Sequence, residues 1–474
     1  MAKSLDIVTL FIVARILGPA EFGLFAIAMA VSLVIQTVLD LPIVQSLLRK
    51  NDIEIDCIHT AFTLSAFRGL IIAVLLIALS WPLAALYEDQ RLALLLCVLS
   101  LAPIFRSLSS PMLITFMQDY DYRRELVSEL VGKIASLVVC VSAAILMESY
   151  WALAFSIVTT PLVITVLSYL WAPYIPQFTL SKWREFKDVI GWVTVSQLFM
   201  SLNWQLDKLL LGKYVAQDTL GKYSMSSNIS ELPQQAFVNP LIRPLISAFS
   251  NRDDRVEPFL LATNAIISTV GPLLALTSVM ADVFVSVFLG ADWAEAGSML
   301  RWLSVSVLVL LPIASITSLT ISMNQSKVLA IRSVFELGIK VPTLFLGIYF
   351  FAVSGALAAR MFVALATTIF MMCYVRKLIQ LGFFTYFKCI AIPSLCMVLM
   401  SILAQWLLLN THWINSEIMQ ILYISFVSLL FYVFLLYLFW ILSNRPNGIV
   451  GLVHTFLVNK IQNRKKYRMS RDPG

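Results

Sequence analysis

ARILGPAEFGLFAIA, residues 14–28, sets a short charged turn between two strongly apolar runs. A looser copy, LLLGKYVAQDTLGKY, occupies residues 209–223. In each copy a glycine follows a leucine (Gly18, Gly212), and a second glycine opens the next apolar run (Gly23, Gly221). The offset between copies is 194 residues for the first glycine, from 18 to 212, and 198 for the second, from 23 to 221. Glycine permits a sharp turn and a close approach between neighbouring helices. Glu21 and Asp218 fall near the positive end of the following helix. Gly18, Pro19, Gly23, Gly212 and Gly221 are therefore expected to be structural turn residues in a unit that the chain contains twice.

Composition sets the solvent. Of 474 residues, 59% are hydrophobic and 13% charged, and the mean hydropathy is +0.86. A soluble chain carries about 25% charged residues, and a folded domain of this size cannot hide so much apolar surface. The chain reads as an all-α polytopic membrane protein. Its apolar runs are long and apolar all round, unlike the alternating pattern of about 10 residues in an outer-membrane barrel, so the spans are helices.

With about 20 residues needed per crossing, the runs fall at 3–17, 22–47, 60–86, 92–117, 125–147, 150–172, 188–211, 220–247, 259–289, 299–322, 328–350, 354–375, 385–408 and 418–441, fourteen in all. The first is short for a full span, which fits either an oblique helix or a start that lacks a few residues. No signal-peptide cleavage site precedes the charged turn.

Loop charge orients the chain. With the N-terminus cytoplasmic, the cytoplasmic side receives Arg49, Lys50, Arg123, Arg124, Lys182, Arg184, Lys187, Arg252, Arg255, Lys327, Arg376 and Lys377. The tail at 442–474 adds seven more Lys and Arg residues. The opposite loops are poorer in positive charge: YEDQR at 87–91, MES at 147–149, GADWAEAG at 290–297, VSG at 353–355 and NTHWINSE at 410–417; only the loop after the seventh run, with Lys213 and Lys222, is locally basic. This is a positive-inside pattern with both termini cytoplasmic. It reads the net charge of +7 as attraction to anionic lipid rather than to nucleic acid.

Six spans separate the two glycine turns, so the expected organisation is an N-terminal six-helix lobe at 1–172 and a basic cytoplasmic linker at 173–187. A C-terminal six-helix lobe at 188–378, two additional helices at 379–441 and the basic tail at 442–474 follow. Internal repeats of this kind are typical of secondary transporters, whose substrate site lies between the halves.

Ionisable groups inside spans are costly and usually face a cavity or a partner. Here they are Arg68, Arg106 and Lys133 in the first half, with Arg15 and Asp40 nearer the span ends, and Asp207, Lys208, Glu231, Arg243, Glu336, Lys340 and Arg360 in the second. Glu336 and Lys340 have the i,i+4 spacing of a helical ion pair; adjacent Asp207 and Lys208 are another candidate for ion pairing rather than a site, and because i,i+1 side chains diverge, each can find its partner across a helix gap. Arg106 and Arg243 also suit snorkelling. The excess of cations points to a chamber for an anion, above all a phosphate or pyrophosphate, which the arginine fork recognises with two hydrogen bonds. Arg68, Lys133, Arg106, Arg243, Lys208 and Arg360 are the candidate substrate-binding cations. Gln45, Asn203, Asp207 and Gln234 are the polar candidates for hydrogen-bonding a sugar; amides of this kind also bridge helices.

Other chemistry is absent. No GxxxxGK[ST] phosphate loop occurs, and the three His and six Cys show no ligand spacing. The DYD of QDYDYRRE at 118–125 sits in a very short loop before two arginines. No catalytic set can be named. The expectation is a non-enzyme without metal or cofactor.

ARILGPAEFGLFAIAMA at 14–30, DLPIVQSLLRK at 40–50, NWQLDKLLLGKYVAQDTLGKYSMSSNISELPQQ at 203–235 and VFLGADWAEAGSMLRWLS at 287–304 resemble the corresponding motifs of Wzx-like oligosaccharide flippases. These form the lipopolysaccharide and exopolysaccharide export branch of the superfamily that includes MATE exporters and the lipid II flippase. The resemblance covers about residues 8–380; Pro42 stands where that family often has Gly. It implies translocation of a polyprenyl-pyrophosphate-linked oligosaccharide repeat unit from the cytoplasmic to the outer leaflet of a bacterial inner membrane, by alternating access. The implied partners are the lipid-linked oligosaccharide, membrane lipids, a polysaccharide polymerase and a chain-length regulator, with no nucleic acid. The rival readings are a MATE-like antiporter of small molecules, which would be expected to use membrane carboxylates, and a lipid II flippase.

Overall fold

The structure is a computed structural model that describes residues 2–40, 43–48, 53–185, 192–250, 255–325, 327–411, 416–442 and 451. Most of the basic tail, Arg49 and Lys50, Lys187, Arg252 and the side chain of Gln45 lie outside the described residues.

Among the described residues every regular element is helical. The helices are α1 (Ala2–Ile16), α2 (Pro19–Val38), α3 (Ile43–Leu48), α4 (Ile55–Leu86), α5 (Arg91–Leu99), α6 (Leu101–Ser107), α7 (Leu113–Gln118), α8 (Arg123–Met147) and α9 (Trp151–Trp171). Then come α10 (Trp192–Tyr214), α11 (Gln217–Pro233), α12 (Ile242–Ser250), α13 (Val256–Val279), α14 (Ala281–Phe288), α15 (Ala294–Leu310), α16 (Pro312–Ser322), α17 (Lys327–Leu378), α18 (Phe383–Asn410) and α19 (Glu417–Leu442).

Nine helical stretches among the described residues are long and apolar enough to cross a membrane. The difference from the fourteen expected runs has identifiable causes. Alpha-helix α1 has only 15 residues. The run at 92–117 is broken into α5, α6 and α7, with Pro103 and Pro111 along it. Helices α10 and α11 carry Asn203, Asp207 and Lys208, and Lys222, Asn228 and Glu231, which lower their hydropathy. The runs at 328–350 and 354–375 appear as one helix, α17, interrupted at Ala352 (φ 48°, ψ −126°). A straight helix would separate residues 347 and 355 by about 12 Å. Instead the backbones of Gly347 and Gly355 abut so closely that a β-carbon on either would collide with the other. The chain folds back at Ala352, and α17 is a pair of helical arms.

By compactness the chain divides into two units. The first contains residues 1–225, 288–293 and 333–359, and the second contains 226–287, 294–332 and 360–474. The first unit takes in α10 and the start of α11, beyond the lobe boundary expected from the sequence.

In the first unit, α8 packs along α9 and α1, and α2 along α10. Gly18 caps α2 in extended conformation (φ −68°, ψ 161°) with Pro19 in the first turn, the arrangement that proline's fixed φ favours. The other three glycines correct the sequence reading. Gly23 and Gly221 each lie one turn inside a helix, and Gly212 lies within α10 rather than at its end. They serve close packing: a β-carbon at Gly23 would strike the carbonyl of Gln217, one at Gly221 the carbonyl of Pro19, and one at Gly212 the side chain of Ile27. The second turn is made by Val215 and Ala216 instead.

In the second unit a core of Ile266, Val270 and Leu274 from α13, Met400 and Ala404 from α18, and Ile424 and Tyr432 from α19 fixes the last two helices. The Tyr432 hydroxyl donates to the Ser268 carbonyl at 3.2 Å.

Candidate functional site

A cavity of about 330 Å³ opens in the first unit among α3, α4, α6 and α7. Ala61, Phe62, Ser65 and Arg68 line it from α4, at the three- and four-residue spacings that share one helix face. Arg106, Ser109 and Ser110 line it from the end of α6 and the turn that follows, and Ile114 and Met117 from α7. Gly69 makes the neighbourhood of the two arginines feasible. It lies against Pro103 and Ser107 so closely that any β-carbon would overlap the Ser107 side chain, so α4 and α6 touch beside Arg68 and Arg106.

Arg68 is partly committed. Its Nη1 donates to Asp40 Oδ1 at 2.6 Å, and Asp40, just past the end of α2, also lines the cavity. With the Gln197 amide oriented so that its nitrogen faces them, it donates to the carbonyls of Asp40 and Thr37, both at 3.1 Å, and so holds the end of α2. Arg68 Nε is buried without a hydrogen-bond partner. Arg106 is exposed and has no carboxylate partner among the described residues. The arrangement offers one half-used and one unused guanidinium, with serine hydroxyls, against an apolar wall: a site suited to an anionic group on an amphipathic molecule.

The turn between α6 and α7 is anchored on α9, where Ser110 N donates to Ser168 Oγ at 2.8 Å and Ser110 Oγ to the Ala172 carbonyl at 2.7 Å. The linker docks along the N-terminal end of α4. His59 Nδ1 meets Tyr174 Oη at 2.7 Å, Thr179 N donates to Thr63 Oγ1 at 3.0 Å, and Lys182 pairs with Glu54 at 2.7 Å. Phe62 bridges the two features, in tilted ring contact with Tyr174 and Phe178 while lining the cavity. Nothing in the polarity of the linker marked these contacts.

The other sequence candidates lie apart from this cavity. Lys133, on α8, pairs with Asp6 of α1 at 2.6 Å. Arg243 is exposed on α12, and Gln234 lies in a single π-helical turn, Gln234–Val238, that follows α11. Arg360 donates to Glu231 Oε1 at 3.0 Å and to Ser227 Oγ at 2.9 Å within the second unit. Lys208 is half-buried on α10.

Asp207 and Lys340 form the most deeply buried ion pair among the described residues, with side chains 3% and 8% exposed. The Tyr223 hydroxyl donates to Asp207 Oδ2 at 3.0 Å. Lys340 Nζ also donates to the Asn203 backbone carbonyl, and the Asn203 side chain donates to the Ser333 carbonyl at 2.8 Å. The network ties α10 to α11 and to the first arm of α17. Lys340 therefore bonds across helices to Asp207 rather than along its own helix to Glu336, and Asp207 has its partner across a helix gap, as the divergence of neighbouring side chains at 207 and 208 allowed. The spacing of residues 207 and 340 gave no local signal for it.

On the opposite side of the first unit's helices, the turn between α4 and α5 carries a second network. Asp89 accepts from Arg91 at 2.8 Å and from the Gln217 amide at 2.6 Å, and Arg91 also donates to Gln217 Oε1 at 2.9 Å. Lys213 donates to the Leu86 carbonyl at 2.6 Å and to Glu88 at 3.0 Å. Glu21 accepts from Tyr150 N at 2.8 Å. Hydrogen bonds from Arg91, the dominant cause, and from Gln217 bring the Asp89 carboxyl down to about 2. Among the described residues no group of three or more His, Cys, Asp or Glu side chains is placed to hold a metal ion.

Comparison with known proteins follows this geometry. A family described as "Polysaccharide biosynthesis protein" matches residues 12–298. The "Succinoglycan biosynthesis transport protein ExoT" of Rhizobium meliloti (strain 1021) is 23% identical over 332 residues, 69% of this chain and 67% of that protein. The "Lipopolysaccharide biosynthesis protein WzxC" of Escherichia coli (strain K12) is 23% identical over 314 residues, 64% of this chain and 63% of WzxC. The alignments thus span about two thirds or less of these relatives' lengths. Among solved structures, "Lipid II flippase MurJ, inward closed conformation" superposes with a TM-score of 0.71 at 13% identity, over 93% of this chain and 97% of that one. A "multidrug resistance MATE family transporter of the MOP superfamily" in an inward-facing conformation gives 0.65 at 14% identity, over 80% and 95%. The fold is the one these transporters share.

Proposed function

The chain belongs to the polysaccharide biosynthesis protein family, and from that premise we propose that it is a membrane transporter of the MOP superfamily rather than an enzyme, and that it flips a lipid-linked oligosaccharide. The cargo is a polyprenyl-pyrophosphate-linked repeat unit, carried from the cytoplasmic to the outer leaflet of the inner membrane for surface or exopolysaccharide synthesis. The observation that carries this reading is the cavity with Arg68 and Arg106 on one side and an apolar wall on the other. Its arginines suit a pyrophosphate, the element common to such cargoes, and its wall suits the adjoining lipid.

In this reading the chain crosses the membrane fourteen times with both termini cytoplasmic, as two six-helix lobes (1–172 and 188–378) joined by the linker at 173–187, with the helices at 379–441 appended. The lobes rock about the chamber in alternating access. Loop charge supports the orientation, which places the Arg68–Arg106 cavity toward the cytoplasm, where cargo would be loaded, and the Asp89 network toward the outside. A polysaccharide polymerase and a chain-length regulator are the partners that would take the product onward.

A small-molecule antiporter would share the fold. Its need for a free membrane carboxylate to hold an organic cation is poorly met by Asp207, Glu231 and Asp40, each of which is paired with a cation of the chain itself. A leaflet-accessibility measurement on proteoliposomes decides the matter. Defined polyprenyl-pyrophosphate glycans should become accessible at the opposite leaflet. Dye efflux without glycan translocation would establish the antiporter, and translocation of lipid II in preference to other glycans would establish the lipid II flippase.

A further inference from the structure

Helix α11 does not run straight into α12. Between them the backbone passes through the π-helical turn Gln234–Val238 and a 3₁₀ turn, Asn239–Leu241. Pro233, Pro240 and Pro244 withdraw three N–H donors from the same stretch. Single π turns inside helices are frequent at functional sites, and transporters bind cargo near the bilayer midplane where spans are broken. The break is central, since the stretch from Gln217 to Ser250 has its midpoint between residues 233 and 234. A hydrocarbon core takes about 20 helical residues. In the proposed topology Glu231, Gln234 and Gln235 therefore lie inside the core wherever along it this longer stretch is set.

The side chains there are polar and incompletely bonded. Arg360, from the second arm of α17, donates to Glu231 Oε1 at 3.0 Å and to Ser227 Oγ at 2.9 Å. Ser227 Oγ donates to the same Oε1 at 3.3 Å. Glu231 Oε2 is left without a partner among the described residues, on a side chain 40% exposed. The side-chain amides of Gln234 and Gln235, half-buried, and of Asn239, exposed, make no hydrogen bond among the described residues. Amides inside spans ordinarily bridge helices; these bridge none. Unbonded amides and a half-exposed carboxylate are expensive against hydrocarbon, so this face of the second unit meets water or a polar ligand.

The charges of Glu231 and Arg360 cancel, which removes the attraction for phosphate that marks the Arg68–Arg106 cavity. What remains is one carboxylate oxygen that accepts and three amides, each with two donors and an acceptor. The neighbouring hydroxyls of a sugar ring, each both donor and acceptor, complement that set. We propose that Glu231, Gln234, Gln235 and Asn239 form a subsite for the uncharged sugar of the cargo, with Arg360 and Ser227 fixing the carboxylate. The inference rests on the flippase reading and adds to it the residues that meet the glycan.

The sugar contribution is read as a ratio. Full-length protein in mild detergent is presented with polyprenyl pyrophosphate that is bare or carries glucose, galactose or N-acetylglucosamine, and retained lipid is counted by native mass spectrometry. Wild type should hold the best of the glycosylated lipids about tenfold more tightly than the bare one. Gln234→Met with Gln235→Met, which keeps side-chain size, should bring that ratio close to one. A general loss of folded protein or of pyrophosphate affinity cancels in the ratio. Arg68→Ala should weaken retention of both lipids in proportion. A ratio that survives in the glutamine variant, or that falls only in Arg68→Ala, would overturn the subsite. Equal retention of bare and glycosylated lipid by wild type would overturn it while leaving the carrier lipid as cargo, and retention of neither would overturn the flippase reading along with it.

Discussion

Gly23 and Gly221 occupy equivalent places in a reciprocal contact: each lies four residues into its helix, and each abuts the carbonyl of the other helix's first residue, Gln217 for Gly23 and Pro19 for Gly221. The same offset of 198 residues relates Pro19 to Gln217 and Gly23 to Gly221. The two copies of the turn are thus a matched pair that meets face to face within the first unit. Two helix starts approach this closely only if neither carries a side chain at the fifth position.

Alanine at either glycine should therefore be costly. The obstacle is backbone, which cannot swing aside as a side chain does, so Gly23→Ala and Gly221→Ala should each destabilise by at least about 2 kcal/mol. Because the two changes strain one contact, the double variant should cost less than the sum. Thermal unfolding of the purified protein in detergent reads both effects. Gly18→Ala is the control, since no atom lies within 4 Å of a β-carbon there. Wild-type stability of Gly23→Ala would show that the helices are held apart.

The latch at the α4–α5 turn predicts a pH dependence. Asp89 is held down to about 2 by Arg91 and Gln217, whereas an aspartate in the unfolded chain titrates near about 4. A depressed carboxyl stabilises the fold fully above the unfolded value and loses that contribution as pH falls through the folded one. Between pH 5 and 2 the wild type should lose stability faster than Asp89→Asn, with the gap between them narrowing toward pH 2. A constant gap over that range would exclude Asp89 as the titrating group. If the latch closes the outer side, Gln217→Ala should also raise labelling of a cysteine introduced at residue 90 by an impermeant reagent.

The Asp207–Lys340 pair makes a different kind of prediction. Removing one partner leaves an uncompensated charge inside the helices, so Lys340→Met should destabilise by about 3–5 kcal/mol. Asp207→Asn in the same chain should restore most of that loss. Tyr223→Phe should cost about 1 kcal/mol, the worth of one hydrogen bond. Equal damage from the single and double variants, by unfolding or by expression of folded protein, would mean that packing rather than charge pairing dominates there.

The helical, membrane-embedded class was legible because long all-round apolar runs have few alternatives, and the paired glycines were visible as a repeat. What the glycines do was not. A turn and a helix–helix contact use the same residue for related reasons, and only the positions of Gln217 and Pro19 distinguish them. The cavity was half legible: Arg68 and Arg106 stood out as charges in apolar runs, but Lys133 carried the same signal and is paired with Asp6 instead. Hydropathy marks where a charge is expensive, not which partner offsets it. For Lys340 that partner is 133 residues away in sequence, counting from Asp207, and i,i+4 spacing pointed to a nearer one.

The proposed function makes the cavity arginines contacts of the cargo, and Asp40 allows the structural and functional roles of Arg68 to be separated. Arg68→Ala alone is ambiguous, because it also strips Asp40 of its partner at 2.6 Å. Arg68→Ala with Asp40→Ala removes both charges. If Arg68 serves only to neutralise Asp40, the double variant should recover glycan translocation; if it meets the pyrophosphate, the double variant should stay at least about tenfold down, the loss of roughly one charge-assisted hydrogen bond. Arg106 has no carboxylate to release, so Arg106→Ala should lower translocation with no change in unfolding temperature. Arg106→Lys should restore part of the activity where charge suffices and little where two-pronged geometry is required. Lys133→Ala, remote from the cavity, should weaken the docking of α1 on α8 and leave translocation per folded molecule close to wild type. Full translocation by Arg68→Ala/Arg106→Ala, measured by leaflet accessibility at matched protein abundance, would remove this cavity from the transport path.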